Sequence, residues 1–249
     1  MDRLLVIPAG GLGTRLGGQL PKLLVPVNGR PMVEHLLDLY AAVCDHAVVI
    51  VHPAAEGRVR QLLGPGVDLV IQRQPTGMLD AILLAAPVVS RDRPRRVLVT
   101  WCDQVAIHPA TIARLAAATD GPDAAPLALL TSRRPDPYIH LQRDGSGRIE
   151  RVLHRREGDV MPETGESDAG VFDLSLDAFL NQLPEYASVA NEGMRTGERN
   201  FLPFIPWMSS RGAVAAVPCT AIEETVGVNT PDELALIERL LEERDRVNG

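Results

Sequence analysis

Short apolar runs alternate with amphipathic segments through the first half of the chain, and this alternation limits the fold more than any other feature. Strands are predicted at RLLVIPA, HAVVIV, VDLVIQ, RRVLVTWCD and PLALLTSR, with helices between them at RPMVEHLLDLYAAV, PAAEGRVRQLL, GMLDAILLAAPVV and PATIARLAAA. Strands that alternate with helices of about ten residues are typical of a mostly parallel sheet covered by helices on both faces.

The second half predicts a smaller antiparallel element and a capped final helix. The stretch YIHLQRDGSGRIERVLHRR alternates like two antiparallel strands around a DGSG turn. The last helix has Thr230 at its N-cap, Pro231 at its first position and Glu233 at its third. We therefore expect a Rossmann-like three-layer α/β sandwich with a mixed, mostly parallel sheet and an antiparallel flap, forming one domain over residues 1–249.

Charge and composition exclude several classes of partner. The net charge of −7 argues against a nucleic-acid or anionic-membrane surface. The first apolar run is too short for a signal peptide, and no stretch approaches a membrane span. Cys44, Cys102 and Cys219 are far apart and indicate reduced thiols. We predict a cytoplasmic protein without nucleic-acid or membrane partners; the sequence is silent on whether it forms a homo-oligomer.

A glycine-rich loop follows the first strand, in PAGGLGTRLGGQLPKLL. Such loops let the backbone approach a ligand closely, and phosphate is the commonest such ligand. The dinucleotide-binding fingerprint does not fit, because GLGTRL lacks the third glycine and no acid ends the second strand. The Walker A loop does not fit either, because Lys22 follows Pro21 and precedes Leu23.

Lysine use is unusual, because the chain has 24 arginines and a single lysine, Lys22. A general bias toward arginine, with one lysine left by chance, is one interpretation. The other is that this position requires a compact ammonium, which a guanidinium cannot imitate at a crowded phosphate.

The remaining pattern, AGGxGTR followed by LPK, resembles the signature loop of the sugar-phosphate nucleotidyltransferase (NDP-sugar pyrophosphorylase) family. The matching residues are Gly11, Gly13, Thr14, Arg15, Pro21 and Lys22. Further stretches resemble family segments in the family's order: RPMVEHLL, QPTGMLDAILLA, LVTWCDQV and VGVNTPDELALIE. The resemblance therefore extends from Ala9 to about Glu238.

The resemblance implies Mg²⁺-dependent transfer of a nucleoside monophosphate from an NTP to a sugar 1-phosphate, with release of pyrophosphate. It implies that Arg15 holds the leaving phosphates and that Lys22 balances charge near the α-phosphate. Asp103 and Asn229 would hold Mg²⁺; taken alone, Asp103 is equally well explained as a turn or cap residue. The implied nucleotide contacts are Ala9, Gly10, Gly11, Gly13 and Thr14 at the phosphates, and Gln74 and Gly77 at the base. UTP, dTTP and CTP are favoured, since an amide side chain suits a pyrimidine edge.

The acceptor segment departs from the family pattern. In VLHRREGD, His154 stands where a glutamate is common, and Arg155 or Arg156 replaces a lysine. Asp168 begins DAG, where better-known members have NTG. The resemblance implies acceptor binding by these residues and by Gly170, beneath the antiparallel flap. An acid in place of the amide favours hydroxyls or an amine over an N-acetyl group.

Three alternatives remain open. The first is nucleotidyl transfer, such as cytidylyl transfer, to a non-sugar phosphate such as a phospho-alcohol, which the altered acceptor segment allows. A metal-dependent glycosyltransferase usually shows D-x-D at the strand end, whereas this chain has Asp103-Gln104-Val105. A non-catalytic nucleotide-binding regulator is disfavoured, because the residues implied for catalysis and metal binding are intact.

Overall fold

Strands and helices alternate along the first half of the chain as predicted, except that the single helix expected at GMLDAILLAAPVV is divided into two at residues 84 and 85. The structure is a computed structural model that describes residues 2–11, 16 and 20–248, without the side chains at 245, 247 and 248. The strands are β1 (Arg3–Ala9), β2 (Pro26–Val27), β3 (Arg30–Pro31), β4 (His46–Val51), β5 (Val67–Ile71), β6 (Arg96–Thr100), β7 (Leu127–Pro135), β8 (Ile139–Arg143), β9 (Ile149–His154), β10 (Thr164–Ser175) and β11 (Val214–Pro218). The helices are α1 (Met32–Tyr40), α2 (Glu56–Leu62), α3 (Met78–Leu83), α4 (Ala86–Asp92), α5 (Pro109–Ala118), α6 (Leu183–Val189), α7 (Phe204–Ser209) and α8 (Pro231–Asn248).

The main sheet is mixed and mostly parallel, which confirms the predicted fold class. Within the described residues its strand order is β11-β7-β10-β6-β1-β4-β5. Strand β1 pairs in parallel with β4 and β6, and β10 runs antiparallel between β6 and β7. The chain moves outward from β1 through β4 and β5, then returns to the other side of β1 as β6. Such a switch opens a crevice at the carboxyl ends of the strands, where ligands bind in open α/β sheets.

Two apolar layers cover the sheet. Side chains alternate along β1, so Leu5 and Ile7 face one layer while Leu4 and Val6 face the other. The first layer includes buried residues of α1, α5 and α8, and the second includes those of α3, α4 and α6. Strand β1 is buried along its whole length. This burial on both faces gives the loops that follow β1 and β6 a rigid support.

The predicted antiparallel flap is present as the β8–β9 hairpin. These strands pair antiparallel with each other, and the Asp144 carboxylate accepts hydrogen bonds at 2.9 Å from the backbone N–H groups of Ser146 and Arg148. Buried residues of both strands join the second apolar layer, which fastens the hairpin to the domain. A three-residue turn, Arg155–Glu157, follows β9 directly. The hairpin therefore fixes the position of His154, at the end of β9, and of the turn that carries Arg155 and Arg156.

The three cysteines are free and half-buried. Burial raises the pKa of each thiol to about 12, so all three are protonated at neutral pH. Of the helices in the described part of the chain, none combines the length and the hydropathy needed to cross a membrane.

Helix α8 begins with the predicted capping box. The Glu233 carboxylate accepts from the backbone N–H of Thr230 at 2.8 Å, and the Thr230 hydroxyl accepts from the N–H of Glu233 at 3.2 Å. The same carboxylate oxygen accepts from the N–H of Asn229 at 2.9 Å. These bonds satisfy donors that the first turn of a helix leaves unpaired. They also fix the backbone of Asn229.

We expect Thr230→Ala to lower the free energy of unfolding by about 1 kcal/mol, since it removes an N-cap acceptor. Urea unfolding followed by tryptophan fluorescence measures the change. Glu242→Ala is the matched control, because it removes an exposed ion pair with Arg246 on the same helix. That control should cost about 0.5 kcal/mol or less. Equal losses in the two variants would contradict a capping role for Thr230.

Candidate functional site

A cleft of about 460 Å³ lies at the carboxyl ends of β1 and β6. One wall is formed by Ala9, Gly10 and Gly11, which end β1 and begin the glycine-rich loop. Other described residues that line the cleft include Leu16, Lys22, Gln72, Gly77, Trp101, Asp103, Arg156, Glu198 and Asn229. Gly13, Thr14 and Arg15, which were also predicted to bind the nucleotide, lie outside the described residues.

Lys22, Asp103 and Asn229 meet in this cleft. The Lys22 ammonium donates to Oδ2 of Asp103 and to Oδ1 of Asn229, the latter at 2.8 Å. The side chains of Lys22 and Asp103 are 17% and 13% exposed. Lys22 starts a short turn whose next two residues, Leu23 and Leu24, are buried and anchor it. The carboxylate oxygen of Asp103 and the amide oxygen of Asn229, which come from distant segments, thus both contact the positively charged Lys22 ammonium.

The loop before α8 is held against the end of β6. The backbone N–H of Val228 donates to the carbonyl of Asp103 at 3.2 Å. Gly227 lies so close to this aspartate that an added Cβ would be 3.0 Å from its carboxylate oxygen. A side chain at that position would push the carboxylate aside. A glycine at position 227 therefore leaves room for the Asp103 carboxylate.

The oxygens of Asp103 and Asn229 fit a divalent cation. A carboxylate and an amide carbonyl are hard ligands of the kind that Mg²⁺ prefers, and Mg²⁺ commonly keeps water and phosphate oxygens in its other positions. The Lys22 ammonium, a cation contacting both oxygens, serves as a stand-in for such an ion. The two predicted metal ligands are therefore brought together by the fold.

On the nucleotide side the structure places Gln72, rather than Gln74, in the cleft. The backbone N–H of Gln72 donates to the carbonyl of Val51 at 2.8 Å, so Gln72 extends β5 beside the end of β4. Its buried side chain donates to the Gly77 carbonyl at 3.3 Å and lies against Gly10. Gln74 is exposed, in the turn beyond the strand, and is not among the described cleft residues. The sequence did not single out Gln72, although its place at a strand end is a signal of the same kind as that of Asp103.

Gly77 lines the cleft in a conformation that favours glycine. Its φ is +125°, and an added Cβ would overlap the backbone of Arg199. Asp80, on the helix that follows, forms an ion pair with the Arg199 guanidinium at 2.5 Å. The backbone around Gly77 is therefore fixed by a residue more than a hundred positions away.

The structure separates the two candidate arginines of the acceptor segment. Arg156 lines the cleft, and its guanidinium lies 3.3 Å from the Glu198 carboxylate. Arg155 turns away and pairs with the exposed carboxylate of Asp136, outside the described cleft lining. A sequence stretch with two adjacent arginines cannot show which of them faces inward, because that depends on the turn after β9.

His154 is half-buried and is not among the described residues that line the cleft. Its Nδ1 lies 3.1 Å from the amide nitrogen of Asn200, and its ring contacts that of Tyr138 edge to face. Burial lowers the pKa of His154, so the ring is neutral at pH 7. A neutral imidazole that accepts from Asn200 leaves its other nitrogen as a hydrogen-bond donor.

Asp168 and Gly170 lie on β10 where its pairing with β7 shifts register, between Asp168 and Phe172. Bulges of this kind redirect side chains near active sites. The Asp168 carboxylate is buried and accepts from the N–H of Gly170 at 3.3 Å, while its other oxygen has no partner among the described residues. Burial, with a contribution from the charge of Asp103, raises the pKa of Asp168 to about 6. Neither Asp168 nor Gly170 is among the described residues that line the cleft, and the unpartnered oxygen of Asp168 is itself buried.

The cleft at the switch point, its glycine-lined edge and the paired oxygens beside Lys22 suit the binding of a phosphorylated ligand and a cation. The sequence profile of the MobA-like NTP transferase domain matches residues 5–166, and the chain belongs to this family. The predicted membership of the nucleotidyltransferases is thereby confirmed.

Curated relatives agree with this assignment. The chain is 34% identical over 249 residues to "Bifunctional protein GlmU" of Thermus thermophilus, covering 97% of this chain and 52% of that protein. The proteins of the same name from Cupriavidus necator and Shouchella clausii are each 30% identical, over 95% and 99% of this chain and 51% and 53% of theirs. The chain spans about half the length of these relatives.

Proposed function

We propose that the chain transfers a nucleoside monophosphate from an NTP to a sugar 1-phosphate and releases pyrophosphate, with Mg²⁺ as cofactor. The observation that carries this proposal is the convergence of Lys22, Asp103 and Asn229 in a cleft edged by the glycine-rich loop. An oxygen of the acceptor phosphate attacks the α-phosphorus, and the bond from that phosphorus to the oxygen bridging to the β-phosphorus breaks. The departing pyrophosphate takes the electron pair of that bond.

Asp103 and Asn229 would hold the Mg²⁺. When bound, the ion neutralises charge on the phosphates and orients them. Lys22 contributes a second positive charge, which we assign to the oxygens of the α-phosphate. Because this reaction depends chiefly on positioning and charge neutralisation, these few groups suffice for the transfer. Arg15 retains its predicted role at the leaving phosphates.

The nucleotide side supports a pyrimidine. The Gln72 amide reaches from Gly10 to Gly77, and an amide has both a donor and an acceptor for a base edge. We therefore assign base recognition to Gln72 and the Gly77 backbone, with UTP, dTTP or CTP as substrate. Gln74 loses this role in the proposal, because it is exposed.

Gln72→Ala tests this assignment. We expect KM for the NTP to rise about 5- to 30-fold, since removing a buried hydrogen-bonding group costs about 1–2 kcal/mol. Gln74→Ala is the matched control, and its KM should stay within about twofold because exposed positions contribute little. Steady-state kinetics at saturating acceptor measure both. A larger effect at Gln74 would return base recognition to the residue that the sequence indicated.

The acceptor side supports a phosphorylated compound bearing hydroxyl or amino groups. Arg156 can grip the acceptor phosphate with two parallel hydrogen bonds. His154, with one ring nitrogen free to donate, and Asp168 keep their predicted acceptor roles in the proposal, although neither is among the described residues that line the cleft. Phospho-alcohols remain the second candidate, because arginine and histidine here recognise a phosphate and a hydroxyl without requiring a sugar ring.

The test is a pyrophosphate-release assay with Mg²⁺, run across the common NTPs and a panel of sugar 1-phosphates and phospho-alcohols. We expect release with one pyrimidine NTP and a sugar 1-phosphate. Release with phospho-alcohols alone would replace the sugar by the second candidate. Nucleotide binding without release for any acceptor would favour a regulator. In a separate reaction without added pyrophosphate, consumption of a nucleotide-sugar would indicate a glycosyltransferase.

A further inference from the structure

Residues 192–200, which we call the clamp loop, form a compact loop beside the cleft. An antiparallel bridge joins Glu192 to Arg199. Inside it, the N–H of Gly193 donates to the Glu198 carbonyl and the N–H of Gly197 donates to the Gly193 carbonyl, both at 2.9 Å. Nothing in the local sequence pattern singled out this loop, because its structure depends on contacts with distant segments.

Arg199 fastens the clamp loop to the segment around Gly77. Its N–H donates to the Thr76 carbonyl at 2.9 Å, and its carbonyl accepts from the N–H of Leu79 at 3.1 Å. Its guanidinium pairs with Asp80 and donates to the carbonyl of Ala187 on α6. The two paired side chains are only 28% and 21% exposed. Arg199 therefore contacts the nucleotide segment through both backbone and side chain.

The residues on either side of Arg199 contact the acceptor segment. Glu198 lines the cleft and lies 3.3 Å from the Arg156 guanidinium. The Asn200 amide lies 3.1 Å from Nδ1 of His154. The Arg156–Glu198 pair is more than 40% exposed at both side chains, so it is weak by itself. Its geometry depends on where the backbone at position 199 is held.

We propose that Arg199 is a positioning residue that couples the two halves of the site. The proposal rests on the proposed function, with nucleotide bound at Gln72 and Gly77 and acceptor bound at Arg156 and His154. A nucleotide that orders the segment around Gly77 also orders Arg199, and through it Glu198 and Asn200. Arg199 itself is not among the described residues that line the cleft, so its effect passes through these neighbours. Nucleotide binding thus prepares the acceptor site.

Hydrogen–deuterium exchange tests this coupling directly. The probe is a set of α,β-methylene analogues of UTP, dTTP and CTP, which bind with Mg²⁺ but cannot transfer. In the unmodified protein we expect the analogue that binds to slow exchange both in residues 72–80 and in the clamp loop, the latter at least about fivefold, as ordinary coupling energies predict. In Arg199→Gln, protection of residues 72–80 should persist while that of the clamp loop is weakened, because the backbone bonds to Thr76 and Leu79 remain but the guanidinium contacts with Asp80 and Ala187 are lost. Asp80→Asn should behave alike, and this isosteric change serves if the first variant does not fold.

Met194→Gln is the matched control, because the Met194 side chain is 98% exposed in the same loop, whereas the Arg195 guanidinium packs against Gly158 of the acceptor segment. It should reproduce the unmodified protein. In kinetics, Arg199→Gln should raise KM for the acceptor about tenfold while changing KM for the NTP less than about threefold, as loss of positioning on one side predicts. Arg199→Lys should restore part of the loss, since it keeps the charge that Asp80 requires.

Two results would overturn the coupling. One is protection of residues 72–80 in the unmodified protein without protection of the clamp loop. The other is clamp-loop protection that is undiminished in both Arg199→Gln and Asp80→Asn. If no analogue protected residues 72–80 or the clamp loop, the failure would be of a different kind. It would refute nucleotide binding at this site, and the coupling with it.

Discussion

Lys22→Ala should lower kcat for nucleotidyl transfer by about 10²- to 10³-fold, the loss typical of removing one preorganised charge from a phosphoryl or acyl transfer site. The ammonium contacts the oxygens of Asp103 and Asn229, where the proposed function places the cation and the α-phosphate. Pyrophosphate release at saturating substrates measures the loss. The fall should be in kcat and kcat/KM together, because the charge matters most in the transition state.

Lys22→Arg separates the two interpretations of the single lysine. If a compact ammonium is required, the variant should recover no more than about tenfold of the loss, because a guanidinium is larger and spreads its charge over a plane. Full activity in Lys22→Arg would mean that the lysine survives by chance in an arginine-rich chain.

The Lys22 contacts also predict how the nucleotide-free protein binds Mg²⁺. The ammonium and the ion compete for the same two oxygens. Lys22→Ala should therefore bind Mg²⁺ more tightly than the unmodified protein when no nucleotide is present, which titration calorimetry can measure. Weaker binding in the variant would contradict a shared position.

Asp103→Asn should lower kcat at least about 10²-fold and raise the Mg²⁺ concentration needed for half-maximal activity. The change keeps the shape of the side chain but removes the negative charge that a hard cation requires. Activity measured over a range of Mg²⁺ concentrations checks both effects. The backbone carbonyl of Asp103 still accepts from Val228, so the variant should keep the loop before α8 in place.

Asp123→Asn is the control for this variant, because Asp123 is an exposed aspartate that does not line the described cleft. It should change kcat by less than about twofold, as surface substitutions usually do. If Asp103→Asn lost no activity, or lost it without any change in the Mg²⁺ requirement, the carboxylate would be a turn residue rather than a ligand.

Most of the fold follows from local pattern. The apolar runs and amphipathic helices of the first half appear in order, because each is set by burial of its own residues. The capping box at Thr230 and Glu233 is likewise local. The position of β10 between β6 and β7 is not, since antiparallel pairing across long chain separations leaves no periodic signal. Its bulge near Asp168 is a consequence of that pairing.

The residues of the candidate site also divide into those that the sequence indicated and those that it did not. Lys22 lies 81 residues from Asp103 and 207 from Asn229, so their meeting was expected through family resemblance and not through spacing. The sequence indicated Gln74, whereas Gln72, at the end of β5, is the glutamine that lines the described cleft; which of them contacts the base stays a prediction. Glu198 and Arg199 were not singled out, because their ion pairs are with Arg156 and Asp80, far away in the chain. Sequence pattern predicts what ends a strand more readily than what a distant loop brings to it.

Following the label from the α- and γ-phosphates of one NTP tests the central claim most directly. With the acceptor found in the pyrophosphate-release panel, the account predicts that α-³²P label becomes covalently joined to the acceptor while γ-³²P label leaves in pyrophosphate. Both should be lost together in Lys22→Ala and Asp103→Asn. Recovery of the α label as free nucleoside monophosphate, or of the γ label as inorganic phosphate, would instead indicate hydrolysis and would contradict nucleotidyl transfer at this site.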